Sequence, residues 1–318
     1  MTFQTRPLRT WAVARRTVLT GMATMALTAC VGKTPESRRV RIATGSPTAT
    51  YYAIGSALAR LIGRELPETD ATVMVTAASA ENVQLISHGQ ADIGFTQADV
   101  LVSGGGSTPG IMALARVYDD LLHLVVRADS PIRTLEDLKG RTVSVGAHGS
   151  GTAVTVGRLL AVAGMSVTGG IDRRELNLDD SLGALATYEI DAFFFSGGLP
   201  VAGIRQLSTR AKARIIDLSK WAGELRRTYS EVYVVRNVPV SAYQTPPAAT
   251  IANPNLLVVS ASMPDDLAFD LTRLLMERRD ELAAAHPAAE RLDPRSAIAT
   301  LPVPLHPGAA RYYQSVKP

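Results

Sequence analysis

The chain has 318 residues, of which 46% are hydrophobic and 19% are charged, so it is neither a disordered nor a fibrous chain. A single cysteine excludes a disulfide framework, and the length allows two lobes of about 100–200 residues each. The formal net charge is +4, but residues 1–29 hold four arginines and no acidic residue. The remainder is therefore neutral, and the overall basicity gives no support for nucleic-acid binding.

Residues 1–29 are predicted to be an export signal. Arginines run to Arg16, and the apolar stretch 18–27 that follows is too short to cross a bilayer. The signal ends in Leu27-Thr28-Ala29-Cys30, which resembles the acylation motif of bacterial lipoproteins and predicts a lipid anchor on Cys30. The alternative is an ordinary signal peptide with a chance cysteine. The pair Arg15-Arg16 is compatible with export by either the general secretory route or the twin-arginine route.

After a polar tether, predicted over residues 30–39, strands alternate with helices. The predicted strands are residues 40–44, 72–76 and 93–96, and the predicted helices between them are residues 51–66 and 81–87. Such alternation is typical of an α/β fold with mostly parallel strands.

The rest of the chain predicts a second α/β series and a return to the first lobe. Residues 103–110 read as a flexible loop, and strands are expected at 111–117 and 123–127, the second crossing between lobes. An amphipathic helix is expected at 264–285, and the proline-rich tail 292–318 should pack over the first lobe. The predicted limits are residues 40–126 and 246–318 for lobe I and residues 127–245 for lobe II.

The segment Thr142–Val154 is the first candidate site. A β-branched strand leads into a loop with three glycines, and Thr152 then opens an apolar helical pattern. The free N–H groups and the positive dipole end of a helix favour an anion at such a place. Glycine-rich turns of this kind also arise from packing alone. A second loop of small residues, Thr44–Tyr52, follows the first strand, and ligands of α/β proteins bind at the carboxyl ends of strands.

Patterns for catalysis or metal binding are missing from the sequence. The five histidines are scattered without metal-ligand spacing, and no nucleophile elbow, phosphate-binding loop or dinucleotide fingerprint occurs. His148 and Ser150 are two residues apart, a spacing that seldom gives attack geometry. We therefore predict no enzyme, no catalytic residue, no metal and no cofactor, and keep an exported hydrolase using Ser150 as a remote alternative.

Several short motifs follow one another in order from residue 40 to the C-terminus. They are Thr44-Gly-Ser-Pro-Thr-Ala-Thr-Tyr-Tyr52, Ala78-Ser-Ala-Glu-Asn82, Gln97-Ala-Asp99, Asp137-Leu-Lys-Gly140, Gly149-Ser-Gly-Thr152, Gly197-Gly-Leu-Pro200 and His306-Pro-Gly-Ala-Ala-Arg-Tyr-Tyr313. This ordered set resembles the TAXI family, the solute receptors of tripartite ATP-independent periplasmic (TRAP) transporters. The chain departs from the family where Ser46, Pro47, Ala49 and Ala78 replace usual glycines.

The resemblance implies a two-lobed periplasmic binding protein fold of type II, with each lobe a mostly parallel sheet flanked by helices. It also implies a small carboxylate ligand, such as glutamate, glutamine, pyroglutamate or a 2-oxo acid, that is delivered to a TRAP permease. A ligand-presenting sensor subunit of the same fold is the alternative.

We expect ligand contacts from both lobes. The expected contacts are Thr44, Gly45, Ser46, Tyr52, Asn82 and Gln97 from one lobe and Gly149, Ser150, Gly151, Thr152 and Ser196 from the other. Arg116 and Arg205 are candidate carboxylate clamps without a predicted position.

Overall fold

The computed structural model describes residues 38–103, 106–165, 170–211 and 213–317. The predicted export signal, nearly all of the predicted tether and Cys30 lie outside the described residues. Within the described ranges, no helix is both long enough and apolar enough to cross a membrane.

Twelve strands and eleven α-helices are described. The strands are β1 (Arg38–Ala43), β2 (Thr69–Met74), β3 (Ile93–Gln97), β4 (Val102–Ser103), β5 (Gly106–Ser107), β6 (Ile111–Arg127), β7 (Thr142–Ser144), β8 (Asp172–Arg174), β9 (Ala192–Gly197), β10 (Ala213–Ile215), β11 (Val234–Val238) and β12 (Ala248–Ser260). The helices are α1 (Thr50–Glu65), α2 (Ser79–Ser87), α3 (Gly151–Val162), α4 (Leu178–Ala186), α5 (Ala202–Ala211), α6 (Ala222–Thr228), α7 (Val240–Tyr243), α8 (Asp265–Glu277), α9 (Arg279–Ala285), α10 (Pro294–Ala297) and α11 (Pro307–Ser315).

Lobe I is built on the strand order β2-β1-β3-β12-β6. Strands β1, β2 and β3 are parallel, and β12 runs antiparallel to both β3 and β6. All five residues of β3 are buried, because this strand lies inside the sheet with helices packed over it. Two apolar clusters, one including Ile54 and Leu271 and the other including Ile86 and Val258, form the core of this lobe.

Lobe II repeats the pattern with the order β8-β7-β9-β6. Strands β7, β8 and β9 are parallel, β6 is antiparallel to β9, and β10 and β11 add antiparallel strands to β6 and β12. In each lobe the first strand therefore lies between the second and the third, and a crossing strand comes next. This repeated order and the two crossing strands define the type II periplasmic binding protein fold, so the predicted fold class is confirmed.

The strands β6 and β12 connect the lobes. Ile111–Tyr118 pairs with the lobe I part of β12, whereas Leu121–Val126 pairs with β9 of lobe II. At the change of partner, Asp119 lies opposite Pro254 and Asp120 lies opposite Asn253. We call these four residues the crossover.

Three elements differ from the sequence prediction. Residues 111–127 form one continuous strand, not two, because the acids that interrupt its apolar pattern belong to the crossover. Part of the predicted loop 103–110 pairs as the β4–β5 hairpin. The predicted helix 264–285 breaks at Arg278, whose guanidinium binds both carboxylate oxygens of Glu65 at 2.7 and 3.0 Å.

The C-terminal tail packs on lobe I, as predicted. Arg311 of α11 donates to Asp266 of α8 at 2.6 Å, and the rings of Tyr312 and Phe269 lie edge to face at 5.7 Å. Tyr313 is buried in the same cluster as α1 and α8 and donates to the carbonyl of Leu114 at 3.1 Å. The tail therefore closes the core of this lobe.

Candidate functional site

A cavity of about 70 Å³ lies between the two lobes beside the crossover. Lobe I contributes the loop before α1, the start of α2 and the end of β3, and lobe II contributes the start of α3 and the end of β9. Its volume is well below the roughly 300–1,000 Å³ of ordinary ligand pockets, so in this closed arrangement only a small molecule fits. Seven of the predicted contacts line it: Gly45, Ser46, Gln97, Ser150, Gly151, Thr152 and Ser196.

The start of α3 is the main lobe II contribution to the cavity. Gly149 has a φ of +76° in the turn that leads into the helix, a conformation that favours glycine. The Oγ of Ser150 then accepts the N–H of Ala153 at 3.0 Å and caps the helix. The N–H groups of Gly151 and Thr152 have no hydrogen-bond acceptor among the described residues. Two free donors and the positive end of the helix dipole therefore meet at the cavity.

Thr152 joins this helix to the neighbouring strand. Its Oγ1 accepts the backbone N–H of Ser196 at 3.0 Å, so the end of β9 is held against the first turn of α3. Both residues line the cavity. One helix start and one strand end, joined by this hydrogen bond, therefore form the lobe II wall.

Gly151 is a point of close contact between lobe II and lobe I. A Cβ at this position would lie 2.5 Å from Oε1 of Gln97 and 2.6 Å from Oγ of Ser79. Real Cβ atoms do not approach other heavy atoms this closely, so only glycine permits the observed contact. The third glycine of the loop is therefore needed for contact between the lobes.

A second contact between the lobes involves the start of α2. The carbonyl oxygen of Gly149 accepts the N–H groups of Ala80 and Glu81, each at 3.1 Å. These two donors are the free N–H groups of a helix N-terminus, and a carbonyl from the other lobe satisfies them. Gly149 does not line the cavity, so the structure places it in the contact that closes the lobes together.

Besides Gly149, three predicted contacts lie outside the cavity lining. The Oγ1 of Thr44 donates to the carbonyl of Met74 at 2.7 Å, which joins the ends of β1 and β2. The buried Asn82 donates to the carbonyls of Thr44 and Phe95 at 2.7 and 2.8 Å and so connects β1 with β3. Tyr51 lines the cavity and Tyr52 does not. The sequence prediction chose the wrong tyrosine, because helical spacing alone does not determine which of two adjacent residues faces inward.

The candidate clamps are also occupied elsewhere. Arg116 forms an ion pair with Asp119 at 2.5 Å, and the Nε of Arg205 donates to the carbonyl of Ala242 at 3.0 Å. Neither arginine lines the cavity. No arginine or lysine is among the residues described as lining it, so the positive character of the cavity comes from the start of α3.

Asp120 is the functional candidate that the sequence prediction missed. It lines the cavity, is 2% exposed, and its Oδ2 accepts the Nε2 of Gln97 at 2.8 Å. Its Oδ1 is buried and has no hydrogen-bond partner among the described residues. Burial raises the pKa of this carboxyl to about 6, against the lowering effect of the Gln97 and Asn255 amides. The only sequence signal was a pair of acids inside the apolar run 111–127.

Asp99 ties lobe II to lobe I below the cavity. Its Oδ2 accepts the hydroxyls of Thr155 at 2.7 Å and Tyr233 at 2.8 Å, and Arg158 lies 3.9 Å away. Burial raises the pKa of this carboxyl, whereas the Thr155 hydroxyl and the Arg158 charge lower it. Because Thr155, Tyr233 and Arg158 come from lobe II, this cluster joins the two lobes.

The geometry gives no support to the hydrolase alternative. The exposed Nδ1 of His148 lies 3.1 Å from Glu175, and the Oγ of Ser150 is engaged as a helix cap. Within the described ranges, no group of three or more His, Cys, Asp or Glu side chains has the arrangement of a metal site.

Comparisons with known proteins bear on the family and the fold. A model of the NMT1-like family matches residues 42–316. A protein from Bordetella bronchiseptica RB50 is similar in structure, with a TM-score of 0.53, 18% identity, and coverage of 89% of this chain and 91% of that chain. A Xanthomonas citri protein bound to ATP has a TM-score of 0.50 and 13% identity over 88% of this chain and 100% of that chain. These two similarities show a shared fold.

A third solved structure is the periplasmic aliphatic sulphonate binding protein from Escherichia coli. It has a TM-score of 0.49 and 16% identity over 88% of this chain and 84% of that chain.

Proposed function

The chain belongs to the NMT1-like family, and we propose that it is an exported receptor of the TAXI type, which captures a small carboxylate-bearing solute between its lobes. The observation that carries the proposal is the interlobe cavity at which the N–H groups of Gly151 and Thr152 are free. A carboxylate at this helix start accepts both N–H groups and interacts favourably with the helix dipole. The cavity volume of about 70 Å³ favours the smaller members of the expected ligand class.

In this proposal, Ser150 binds the ligand and performs no chemistry. Its Oγ accepts the Ala153 N–H, which leaves the hydroxyl proton available to a ligand oxygen. His148 contacts Glu175, so no base stands ready to activate the hydroxyl. The protein is therefore a binding protein and not an enzyme.

Ligand capture is coupled to contact between the lobes. The carbonyl of Gly149 reaches the N–H groups of Ala80 and Glu81 only when lobe II lies against lobe I. A solute that contacts both walls of the cavity binds the closed state better than the open state and shifts the population toward it. A TRAP permease then recognises the closed receptor. The residues of the leader support export to the periplasm with a lipid anchor on Cys30.

Binding of matched small acids tests the receptor function. We expect isothermal titration of the purified protein with glutamate, glutamine, pyroglutamate and C3–C5 2-oxo acids to find at least one ligand. A ligand at 100 times its Kd should raise the free energy of unfolding by about 2.7 kcal/mol in a thermal or urea titration. If no member of the panel binds or stabilises the protein, the carboxylate proposal is wrong.

The transport partner needs a separate measurement. Proteoliposomes that contain the TRAP permease from the same genome should take up the identified ligand only when the receptor is added. Uptake that is independent of the receptor would contradict the delivery step and leave ligand capture intact.

A further inference from the structure

The cavity lining contains two polar atoms that make no hydrogen bond of normal geometry with the described residues. They are Oδ1 of Asp120 and the hydroxyl of Tyr118, and both residues line the cavity. Asp120 is 2% exposed and Tyr118 is 4% exposed, so bulk water does not satisfy either atom. Buried polar atoms in proteins nearly always have a partner, and orphaned ones in a binding cavity point to a group that the ligand supplies.

The chemistry of the missing partner follows from what Asp120 already has. A carboxylate accepts hydrogen bonds only, and the Gln97 amide supplies one neutral donor to Oδ2. Among the residues that line the cavity, none is a lysine, an arginine or a histidine, so no cation offsets the charge. Burying a carboxylate without a cationic partner carries a large unfavourable free energy, and a cationic donor that binds to Oδ1 offsets this free energy.

The two ends of the cavity therefore have opposite electrical character. The start of α3 offers free N–H groups at Gly151 and Thr152, whereas the crossover offers the carboxylate of Asp120. Gln97 lies between them, since it contacts both Gly151 and Asp120. A ligand whose only charged group is a carboxylate would bind favourably to the N–H groups at the start of α3 but would be repelled by the negative charge of Asp120.

We propose that Asp120 is an ammonium-binding residue and that the receptor selects a zwitterionic amino acid over the corresponding acid without nitrogen. The carboxylate of the amino acid lies at the start of α3, and its ammonium group donates to Oδ1 of Asp120. The Tyr118 hydroxyl accepts a second ammonium proton or donates to a ligand oxygen. This inference rests on the proposed carboxylate-receptor function and narrows its ligand class.

Matched pairs of ligands test the inference. The purified full-length protein is titrated calorimetrically at pH 7.5 with L-alanine against propionate and pyruvate, and with L-glutamate against glutarate and 2-oxoglutarate. We expect the amino acid of at least one set to bind at least 10-fold more tightly than its nitrogen-free partners. This comparison uses the unmodified protein and does not depend on the folding of any variant.

The Asp120→Asn variant then assigns the preference to one side chain. It keeps the shape and an acceptor for Gln97 but removes the charge, and the preference should fall below about 3-fold. Asp119→Asn is the matched control, because Asp119 is the adjacent acid and does not line the cavity. It should keep the preference of the unmodified protein.

The outcomes separate the two proposals. If the nitrogen-free acids bind as tightly as the amino acids, or if the preference survives in Asp120→Asn, the ammonium site is wrong and the carboxylate receptor stands. If pyroglutamate, which has a neutral N–H donor, binds more tightly than the amino acids of both sets, the cationic partner is wrong. If no member of either set binds, the ammonium site is wrong, and the carboxylate receptor fails as well when no acid of the earlier panel binds.

Discussion

The Nε2 of Gln97 donates to Oδ2 of Asp120 at 2.8 Å, and Oδ1 of the same carboxyl has no hydrogen-bond partner among the described residues. Gln97 ends β3, and Asp120 belongs to the crossover on β6, so the bond joins the lobe I sheet to the strand that leads into lobe II. The same glutamine contacts the start of α3 through Gly151. One side chain thus connects the start of α3, the buried carboxylate and the crossover.

Removing the charge of Asp120 should stabilise the unliganded protein. Its pKa is 3.8 when unperturbed and about 6 in the folded state, because burial disfavours the charged form. The folded state therefore binds more protons than the unfolded state between about pH 4 and pH 6, and stability falls as the pH rises through that window. A shift of this size corresponds to roughly 2–3 kcal/mol, which is lost in full above pH 6. Asp120→Asn should recover about 1–3 kcal/mol at pH 7.5 and nothing below pH 4.

Urea denaturation of both proteins at pH 7.5 and pH 3.8 measures this difference. Asp119→Asn should not stabilise the protein, because it breaks ion pairs with Arg116 and Arg236. A stability gain in Asp119→Asn equal to that in Asp120→Asn would show that burial of Asp120 is not the cause.

Binding of an amino acid should weaken on acidification through pH 6. Protonation of Asp120 removes the acceptor for the ammonium group, since its pKa is about 6. The titratable groups that face it are Tyr51, Tyr118 and the acids Asp99 and Asp119. Burial raises the pKa of each tyrosine well above 10. Both tyrosines are neutral throughout this range. Titration calorimetry from pH 7.5 to pH 5.0 should show affinity falling about 10-fold per unit below pH 6, and a flat profile would contradict the prediction.

Substitution of Gly151 should block ligand binding without unfolding the protein. A valine Cβ would overlap Gln97 and Ser79, at 2.5 and 2.6 Å, so lobe II could not approach lobe I. We expect Gly151→Val to reduce affinity at least 100-fold in calorimetry while the circular dichroism spectrum stays the same. The matched control is Gly157→Val in the same helix, where a Cβ would meet no atom within 4 Å and affinity should persist. Unchanged affinity in Gly151→Val would contradict the placement of the site.

Ala78 has backbone angles that favour glycine. Its φ is +87° and its ψ is −140°, and this region of backbone conformation is strained for any residue with a Cβ. Ala78→Gly should therefore raise the free energy of unfolding by about 1–2 kcal/mol in urea denaturation. Ala77→Gly is the neighbouring control, and because its φ is not positive it should give no increase. Equal effects of the two changes would show that the angles of Ala78 carry no strain.

The hydroxyl of Thr155 should contribute to the contact between the lobes at Asp99. Thr155→Val removes the hydroxyl that donates to Oδ2 of Asp99 at 2.7 Å, so the buried carboxylate loses one hydrogen-bond donor. We expect a loss of about 1–3 kcal/mol in urea denaturation. Thr155→Ser keeps the hydroxyl and should cost less than about 1 kcal/mol. An unchanged free energy of unfolding in Thr155→Val would show that the hydroxyl contributes nothing to this contact.

Local patterns in the sequence were enough to predict the α/β class and one wall of the interlobe cavity. The strand, glycine loop and helix start at Thr142–Val154 are adjacent in the chain, so spacing alone indicated a helix N-terminus with free N–H groups. The alternation of strands and helices likewise predicted the repeated α/β order. The glycine of the loop that approaches the other lobe and the capping serine were both among the predicted residues.

The other wall was decided by tertiary structure. Asn82 and Thr44 lie in small-residue motifs of the resemblance, yet their polar groups connect β1, β2 and β3 and do not line the cavity. Asp120 belongs to none of these motifs. It lines the cavity because β6 and β12, which are far apart in the sequence, pair beside it. Local propensity, glycine geometry and apolar spacing are properties of neighbouring residues, and the sequence by itself determined them. Burial and the pairing of β6 with β12, which leave one carboxylate oxygen without a partner, depend on contacts between distant residues that only the tertiary structure decided.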